Sequence, residues 1–282
     1  MSWQLLLLIS IIFLSFNGLF HKSLLKSDND PRAQVIVFWG LGGVISIFIA
    51  LLRGKLQLGF PPSLFINFFI IAVFSMVAGV LKYRGYQLIT ASEVVIFGTT
   101  SKFWNVIGAS VFLHESITIQ KIFGTIIILL GIAATMYVDK KFKVNKGIFF
   151  VLLAAFLMGL SDISGYYILE TIDASSFQIY FYLLPVFTLL LIQPSVIKKL
   201  SYYFKPDRAM KVIALSIFDT LGMLALFFAY QSGGKASVIG PLSATKVIVT
   251  VILAIIFLKE RVNITKKIIG AMITVIGVVL LL

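Results

Sequence analysis

The sequence predicts an all-α polytopic membrane protein: ten transmembrane helices built as two inverted-topology five-helix repeats. Three observations carry this prediction. Of 282 residues, 60% are apolar and only 12% are charged, with a mean hydropathy of +1.05. The apolar residues come in runs of about 20, the length that crosses a bilayer as a helix. The second half of the chain also repeats rare polar residues of the first half in the same order.

The ten runs follow one another with short connections. Trp3–Phe20 lacks a basic leader and a small-residue cleavage site, so it reads as a first helix and not as a signal peptide. Ala33–Leu52, Pro62–Leu81, Val94–Leu113 and Ile122–Val138 complete the first half. A basic connection, 139–146, leads into Gly147–Leu169, Phe177–Ile197, Val212–Gln231, Val238–Leu258 and Ile264–Leu282. Each run is continuously apolar, whereas the strands of a membrane barrel alternate. The repeats then occupy residues 1–138 and 147–282.

Composition excludes several function classes. A chain this size cannot hide so much apolar surface from water, which excludes a soluble enzyme, a disordered chain and a small disulfide scaffold. There is no Cys, hence no thiolate chemistry. The two histidines, His21 and His114, are far apart, so no metal site is expected, and no cofactor. The net charge of +13 sits in short loops and forms no continuous stripe, which fits a membrane protein and not a nucleic-acid binder. The expected partners are a small-molecule substrate and the lipid bilayer, with a monomer sufficient and a dimer left open.

Loop charge sets the orientation. Loops after odd-numbered helices, taken with Lys266 and Lys267 in the first turn of the last helix, hold 18 Lys and Arg, and loops after even-numbered helices hold 4. The positive-inside rule places the former in the cytoplasm and both termini outside a cytoplasmic (plasma or inner) membrane.

The internal repeat is specific. Tyr86-Gln87 matches Tyr230-Gln231, and Thr99-Thr100-Ser101-Lys102 matches Ser243-Ala244-Thr245-Lys246, both at an offset of 144. Phe112-Leu113-His114-Glu115 matches Phe257-Leu258-Lys259-Glu260, and Gly124 and Gly131 match Gly270 and Gly277. A unit of five helices makes the second copy enter the membrane from the opposite face, as in many secondary transporters, where the substrate site lies between the halves near the midplane.

FLHESITIQKIFGTIIILLG (112–131), echoed by FLKERVNITKKIIGAMITVIG (257–277), resembles the EamA-like branch of the drug/metabolite transporter superfamily. In that branch a Glu follows helices 4 and 9, and a glycine-bearing helix comes next. The resemblance covers essentially the whole chain. It implies a metabolite transporter: relatives export amino acids and other metabolites, take up choline or sugars, or exchange organophosphates and nucleotide sugars. Many relatives are drawn with cytoplasmic termini, the reverse of the orientation that loop charge gives here.

Four ionisable residues stand inside the spans: Lys102, Lys246, Asp162 and Asp219. Each costs roughly 2.5–3.5 kcal/mol on insertion scales and needs a partner or a watery cavity. Lys102 and Lys246 are repeat equivalents, each about 12 Å into its span. Two ammonium groups on one cavity would make an anion site, with Ser101, Thr99, Thr100, Ser243 and Thr245 as hydroxyl donors. The alternative is snorkelling or pairing with Asp. The plastid triose-phosphate transporters resemble this arrangement, with basic residues on helices 4 and 9, but the basic residue that often follows the second lysine is Val247 here.

Asp162 has Asn17 as its repeat counterpart, and Asp219 has an apolar one near Phe74. Either Asp could hold an amine, pair with Lys or carry a coupling proton. Trp104, Asn105 and Tyr230 are further candidates for the substrate site, and Trp39, Tyr166, Tyr167, Tyr180 and Tyr182 for the cavity wall. Gly240-Pro241 and Pro185 are expected hinges, since each proline removes a backbone hydrogen bond. Gly124, Gly131, Gly270 and Gly277 are expected to pack the two halves together. Glu115 and Glu260 are expected to complement the N-termini of helices 5 and 10.

The function that follows is secondary active transport of a small polar metabolite, an amino acid or organic anion, with export the favoured direction. Alternating access would be driven by protons or exchange. No Walker motif occurs, so nothing in the chain points to ATP. The competing readings are an organophosphate or nucleotide-sugar antiporter, choline-like cation uptake, a channel, an assembly protein, and remotely an intramembrane aspartyl protease. The protease reading lacks its Gly-x-Gly-Asp motif, because Ser161 takes the second Gly place.

Overall fold

Long apolar runs in a solvent that accepts no hydrogen bonds must close their backbone bonds internally, and helices do this. The computed structural model describes residues 1–24, 30–89, 94, 97–136, 145–249 and 264–281, and all regular structure among them is helical. In chain order these are α1 (Trp3–Leu24), α2 (Pro31–Leu52), α3 (Pro62–Leu88), α4 (Ser101–Leu113) and α5 (Ile119–Met136). The second half holds α6 (Lys146–Leu169), α7 (Ala174–Ile192), α8 (Pro206–Gln231), α9 (Ala236–Ser243, resuming at Lys246) and α10 (Ile264–Leu281). Five of them, α2, α3, α6, α7 and α8, are long and apolar enough to cross a membrane, and the described parts of the others include shorter apolar helices.

Local chemistry fixes several ends. Asp30 caps α2 by accepting from Arg32 N, with Pro31 in the first helical position. Asn145 caps α6 by accepting from Ile148 N, and Asp173 caps α7 by accepting from Ser175 N. Several expected boundaries are wrong: α1 runs on from Phe20 to Leu24, and α8 starts at Pro206 and not at Val212. The run expected to end at Ile197 stops at Ile192, and Pro194 starts a separate 3-10 segment, Pro194–Tyr202, because proline cannot continue the helical hydrogen-bond ladder. The run expected to end at Leu81 continues to Leu88, carrying Lys82 and Arg84 inside α3. That helix also contains a π-helical turn, Ile71–Ser75, a feature frequent at functional sites.

The pairing of helices is symmetric. α2 packs on α7, α4 on α9 and α5 on α10, while α1 packs on α8 and α3 on α6. Exchanging the first half for the second leaves this set unchanged. The equivalent helices run antiparallel. In α2 and α7, Arg32 bonds Gln193 at one end and Arg53 bonds Asp173 at the other. In α5 and α10, a Cβ on Gly131 would lie 2.3 Å from Thr274 Oγ1, and one on Gly277 would lie 2.8 Å from Gly124 O. Gly124 and Gly270 supply the carbonyls that these contacts meet, so all four glycines sit where the two helices touch.

Side chains are distributed inside out. Phe48 and Phe65 are each 63% exposed and Val279 67%, whereas Ser10, Ser46, Ser75, Thr125 and Ser161 are fully buried. Helices apolar on their outer faces with hydroxyls turned inward belong in lipid.

Candidate functional site

The two lysine-bearing helices break at matching places. The chain makes a turn at Thr99–Thr100 before Lys102 and at Ala244–Thr245 before Lys246. There the bonds tighten to the i−3 pattern: Lys102 N to Thr99 O and Phe103 N to Thr100 O, Thr245 N to Leu242 O and Val247 N to Ala244 O. Hydroxyls satisfy carbonyls at each break. Thr100 Oγ1 donates to Phe97 O at 2.5 Å, Ser243 Oγ to Gly240 O at 2.7 Å, and Thr245 Oγ1 to Leu242 O at 2.7 Å. Backbone of this kind is tolerated at membrane depth only where it is buried in protein or lines a cavity. Pro241 is buried in α9 just before its break, and Pro185 is buried within α7.

Lys102 then meets acid from the opposite half, and Lys246 lies near acid of its own half. Lys102 Nζ donates to Asp162 Oδ2 at 3.1 Å, and Asn105 Nδ2 donates to the same oxygen at 3.1 Å. Lys102 therefore forms an ion pair with its side chain 16% exposed, and Asp162 with 14%. Asp219 accepts from Tyr182 OH at 2.7 Å. Lys246 lies in the electrostatic field of Lys102, Lys82, Asp219 and Asp162, and Lys82 in that of Asp219, Lys102 and Asp162. Ser15 of α1 donates to Lys246 O at 3.0 Å, tying this break to the first half.

A cavity of about 100 Å³ has Lys82 and Asp219 in its wall, whereas Lys102, Asp162 and Lys246 are not among its lining residues. It lies between the halves, walled by Phe38 and Trp39 of α2, Gly79, Lys82 and Tyr83 of α3, Met158 of α6, and Leu215, Ser216 and Asp219 of α8. Gly79 lets the Trp39 ring lie close, since a Cβ there would meet Trp39 Cη2 at 2.9 Å.

The expected site residues separate into groups. Lys102, Asp162, Asn105, Asp219 and Lys246 share the charged centre, while Gly240 packs against Asn105. Ser101 is buried with its carbonyl against the position of Gly159. Trp104 packs edge-on against Phe156 of α6, with ring centroids 4.9 Å apart, and is not among the cavity's lining residues. Tyr230 stacks near Tyr166 and donates to Glu170 at 3.3 Å, at the chain end of α8. Asn17 lies on α1, but its side chain falls outside the described residues. Thr245 uses its hydroxyl on Leu242 and so offers no free donor proton.

Glu115 reaches beyond its neighbour in sequence, and among the described residues its carboxylate makes no hydrogen bond to the α5 backbone. It accepts from Ala236 N at 2.7 Å and from Ser237 N at 3.0 Å, capping α9 of the other half. Glu260 lies outside the described residues.

Sequence reasoning missed Lys82. Its charge, with Arg84 two residues on, made the stretch read as a loop. The repeat held the signal: Tyr230-Gln231 ends helix 8, so the matching Tyr86-Gln87 belongs inside helix 3.

A model of the EamA-like transporter family matches residues 1–137 and again 145–282. The chain belongs to the EamA-like transporter family. It is thus a multi-pass membrane protein with the family's two-repeat architecture, and the family is one of transporters within the drug/metabolite transporter class. A solved structure described only as a crystal structure of a protein is similar over 99% of this chain and 96% of its own, at 15% identity and a TM-score of 0.79, and it supports the fold alone. No curated protein matches the chain.

Proposed function

We propose that the protein is a secondary active transporter of a small polar metabolite, an amino acid or organic anion. Substrate is bound between inverted halves and released by alternating access, with export across the cytoplasmic membrane and drive from protons or exchange. One observation carries the reading. Two helices broken at equivalent positions bring Lys102 and Lys246 into the field of Asp162, Asp219 and Lys82, and Asp219 and Lys82 wall a cavity between the halves. Five intramembrane charges are costly, and a purely structural bundle has no use for them. The antiparallel packing of α2 on α7 and of α5 on α10 supports two near-equivalent arrangements related by exchange of the halves.

The competing readings fit less well. A choline-like cation would meet three nearby ammonium groups. A phosphate cradle of two lysines loses Lys102 to Asp162. A protease dyad requires carboxylates that share a proton, and here each carboxylate is held by its own partners. Loop charge continues to favour external termini, since moving Lys82 and Arg84 into α3 leaves the basic excess on the same side.

The test is transport in proteoliposomes loaded with amino acids and organic anions, with and without an imposed pH gradient. Lys102→Ala and Lys246→Ala are expected to abolish uptake. Unchanged uptake in both variants would remove the reading.

A further inference from the structure

The connection between α7 and α8 joins two spanning helices at one face of the membrane, so it lies where hydrocarbon gives way to water. Between Gln193 and Val212 it carries five basic residues, Lys198, Lys199, Lys205, Arg208 and Lys211, against one acid, Asp207. Its inner side is fixed. Val196 and Tyr203 are buried, Tyr203 lies edge-on to Phe38 of α2 with ring centroids 6.4 Å apart, and Lys199 Nζ reaches Asp30 Oδ2 at 2.7 Å. Arg208 folds back over the Tyr202 ring at 3.8 Å, donates to Tyr202 O at 3.3 Å and pairs with Asp207 at 3.2 Å. The connection is therefore a shaped strap with a defined outer surface.

That outer surface sets two chemistries side by side. An apolar residue is followed at once by a lysine three times: Ile197-Lys198, Phe204-Lys205 and Met210-Lys211. Ile197, Phe204 and Met210 are each more than half exposed, which is unfavourable in water. Lys198, Lys205 and Lys211 are exposed too, and form no ion pair among the described residues. Hydrocarbon suits the first set and repels the second, and water does the reverse. A free phosphate would match the lysines and leave the apolar side chains wet. A bilayer surface with anionic headgroups suits both sets, because the apolar side chains enter the acyl boundary while the ammonium groups meet phosphodiesters.

We propose that this strap, residues 194–211, is a docking site for anionic phospholipid, with the three lysines on headgroup phosphates and Ile197, Phe204 and Met210 against the acyl chains. The site lies apart from the charged centre and does not depend on the substrate. Its effect reaches the cavity all the same. Lys199 on Asp30 and Gln193 on Arg32 tie the strap to the start of α2, and the strap runs directly into α8. Both α2 and α8 wall the cavity, so lipid held on the strap braces two of its sides.

The experiment is thermal unfolding of the delipidated 282-residue chain in neutral detergent, titrated with phosphatidylglycerol, phosphatidylcholine or soluble glycerol 3-phosphate. A ligand of the native state raises the melting temperature. Phosphatidylglycerol is expected to raise it, and the other two are not. Each basic residue near an anionic surface contributes about a fivefold preference. The triple variant Lys198→Gln, Lys205→Gln, Lys211→Gln is therefore expected to need about tenfold or more phosphatidylglycerol for the same shift. Lys55→Gln with Lys235→Gln, two exposed lysines of the opposite face, is expected to behave as wild type. The proposal falls if phosphatidylcholine shifts wild type as much as phosphatidylglycerol does, or if no additive shifts it. An equal shift from glycerol 3-phosphate also overturns it, by making the site one for free anions. So does an unchanged requirement in the triple variant, or an equal loss in the opposite-face pair. The ranking of the three additives needs no variant, so a misfolded triple variant leaves the proposal exposed to failure.

Discussion

Lys102 Nζ and Asp162 Oδ2 meet at 3.1 Å across the boundary between the two repeats, beside the break in the chain at Thr99–Thr100. Both side chains are shielded, so each needs the other more than either gains from the pair. Asp162→Asn is expected to destabilise by about 3 kcal/mol, leaving Lys102 without its counter-charge. The double variant Lys102→Met with Asp162→Leu is expected to recover most of that stability while remaining unable to transport. Thermal unfolding in detergent reads the first effect and proteoliposome uptake the second. A double variant no more stable than Asp162→Asn would mean the pair does not govern the site.

The α5–α10 contact gives a sharper stability test. A Cβ on Gly131 would lie 2.6 Å from Thr274 N, and one on Gly277 would lie 2.7 Å from Ile128 N, both backbone atoms that cannot swing aside. Gly131→Ala and Gly277→Ala are each expected to cost about 1–3 kcal/mol. Gly40 has nothing within 4 Å of a built Cβ, so Gly40→Ala is expected to be neutral or slightly stabilising. Equal melting temperatures for all three would show that this contact does not hold the halves together.

What could be read from the sequence follows the range of each interaction. The depth of Lys102 and Asp162 in their runs, and the glycine spacing of α5 and α10, are properties of single helices or of the repeat, so the chain displays them directly. Pairing partners are not. Nothing local tells Glu115 to cap α9 across the boundary, beyond α5, its neighbour in sequence. Lys82 shows the opposite error: a local cue, two basic residues in three, overrode the longer-range cue of the repeat. The π-helical turn at Ile71–Ser75 has no composition signal, and its environment includes a tertiary contact, Ser75 Oγ against Ser161 Oγ at 2.5 Å.

Asp30 predicts a pH dependence at the α2 N-terminus. Hydrogen bonds from the Arg32 guanidinium, against the opposing pull of desolvation and helped by Lys199, hold its carboxyl well below the usual carboxylate range. Arg32 Nη2 and Lys199 Nζ reach Asp30 Oδ2 at 2.8 and 2.7 Å. A depressed folded value means the stabilisation is present above the unfolded value of about 3.9 and is lost only as pH falls through the folded value. Asp30→Asn is therefore expected to lower stability by about 1–3 kcal/mol at neutral pH, with the gap to wild type closing only below about pH 4. Melting curves between pH 3 and 8 check this. A gap that closes between pH 5 and 7 would assign the effect to another group.

Glu115 predicts a change in access. Its carboxylate accepts from Ala236 N, Ser237 N and Ser237 Oγ, and Lys121 Nζ adds a bond to Ser237 Oγ at 3.1 Å. First-half residues thus clasp the start of α9, eight residues before its break at Ala244. Charged hydrogen bonds of this kind are worth about 1.5–3 kcal/mol each, enough to shift a two-state equilibrium by a factor of ten or more. Glu115→Gln is expected to favour opening on this face. The chain has no Cys, so a single reporter, Ala174→Cys at a fully buried position on the same face, can be labelled without background. Its reaction with a membrane-impermeant maleimide is expected to speed up about tenfold in the Glu115→Gln background. An unchanged labelling rate, with a lowered melting temperature, would reduce Glu115 to a helix cap with no part in gating.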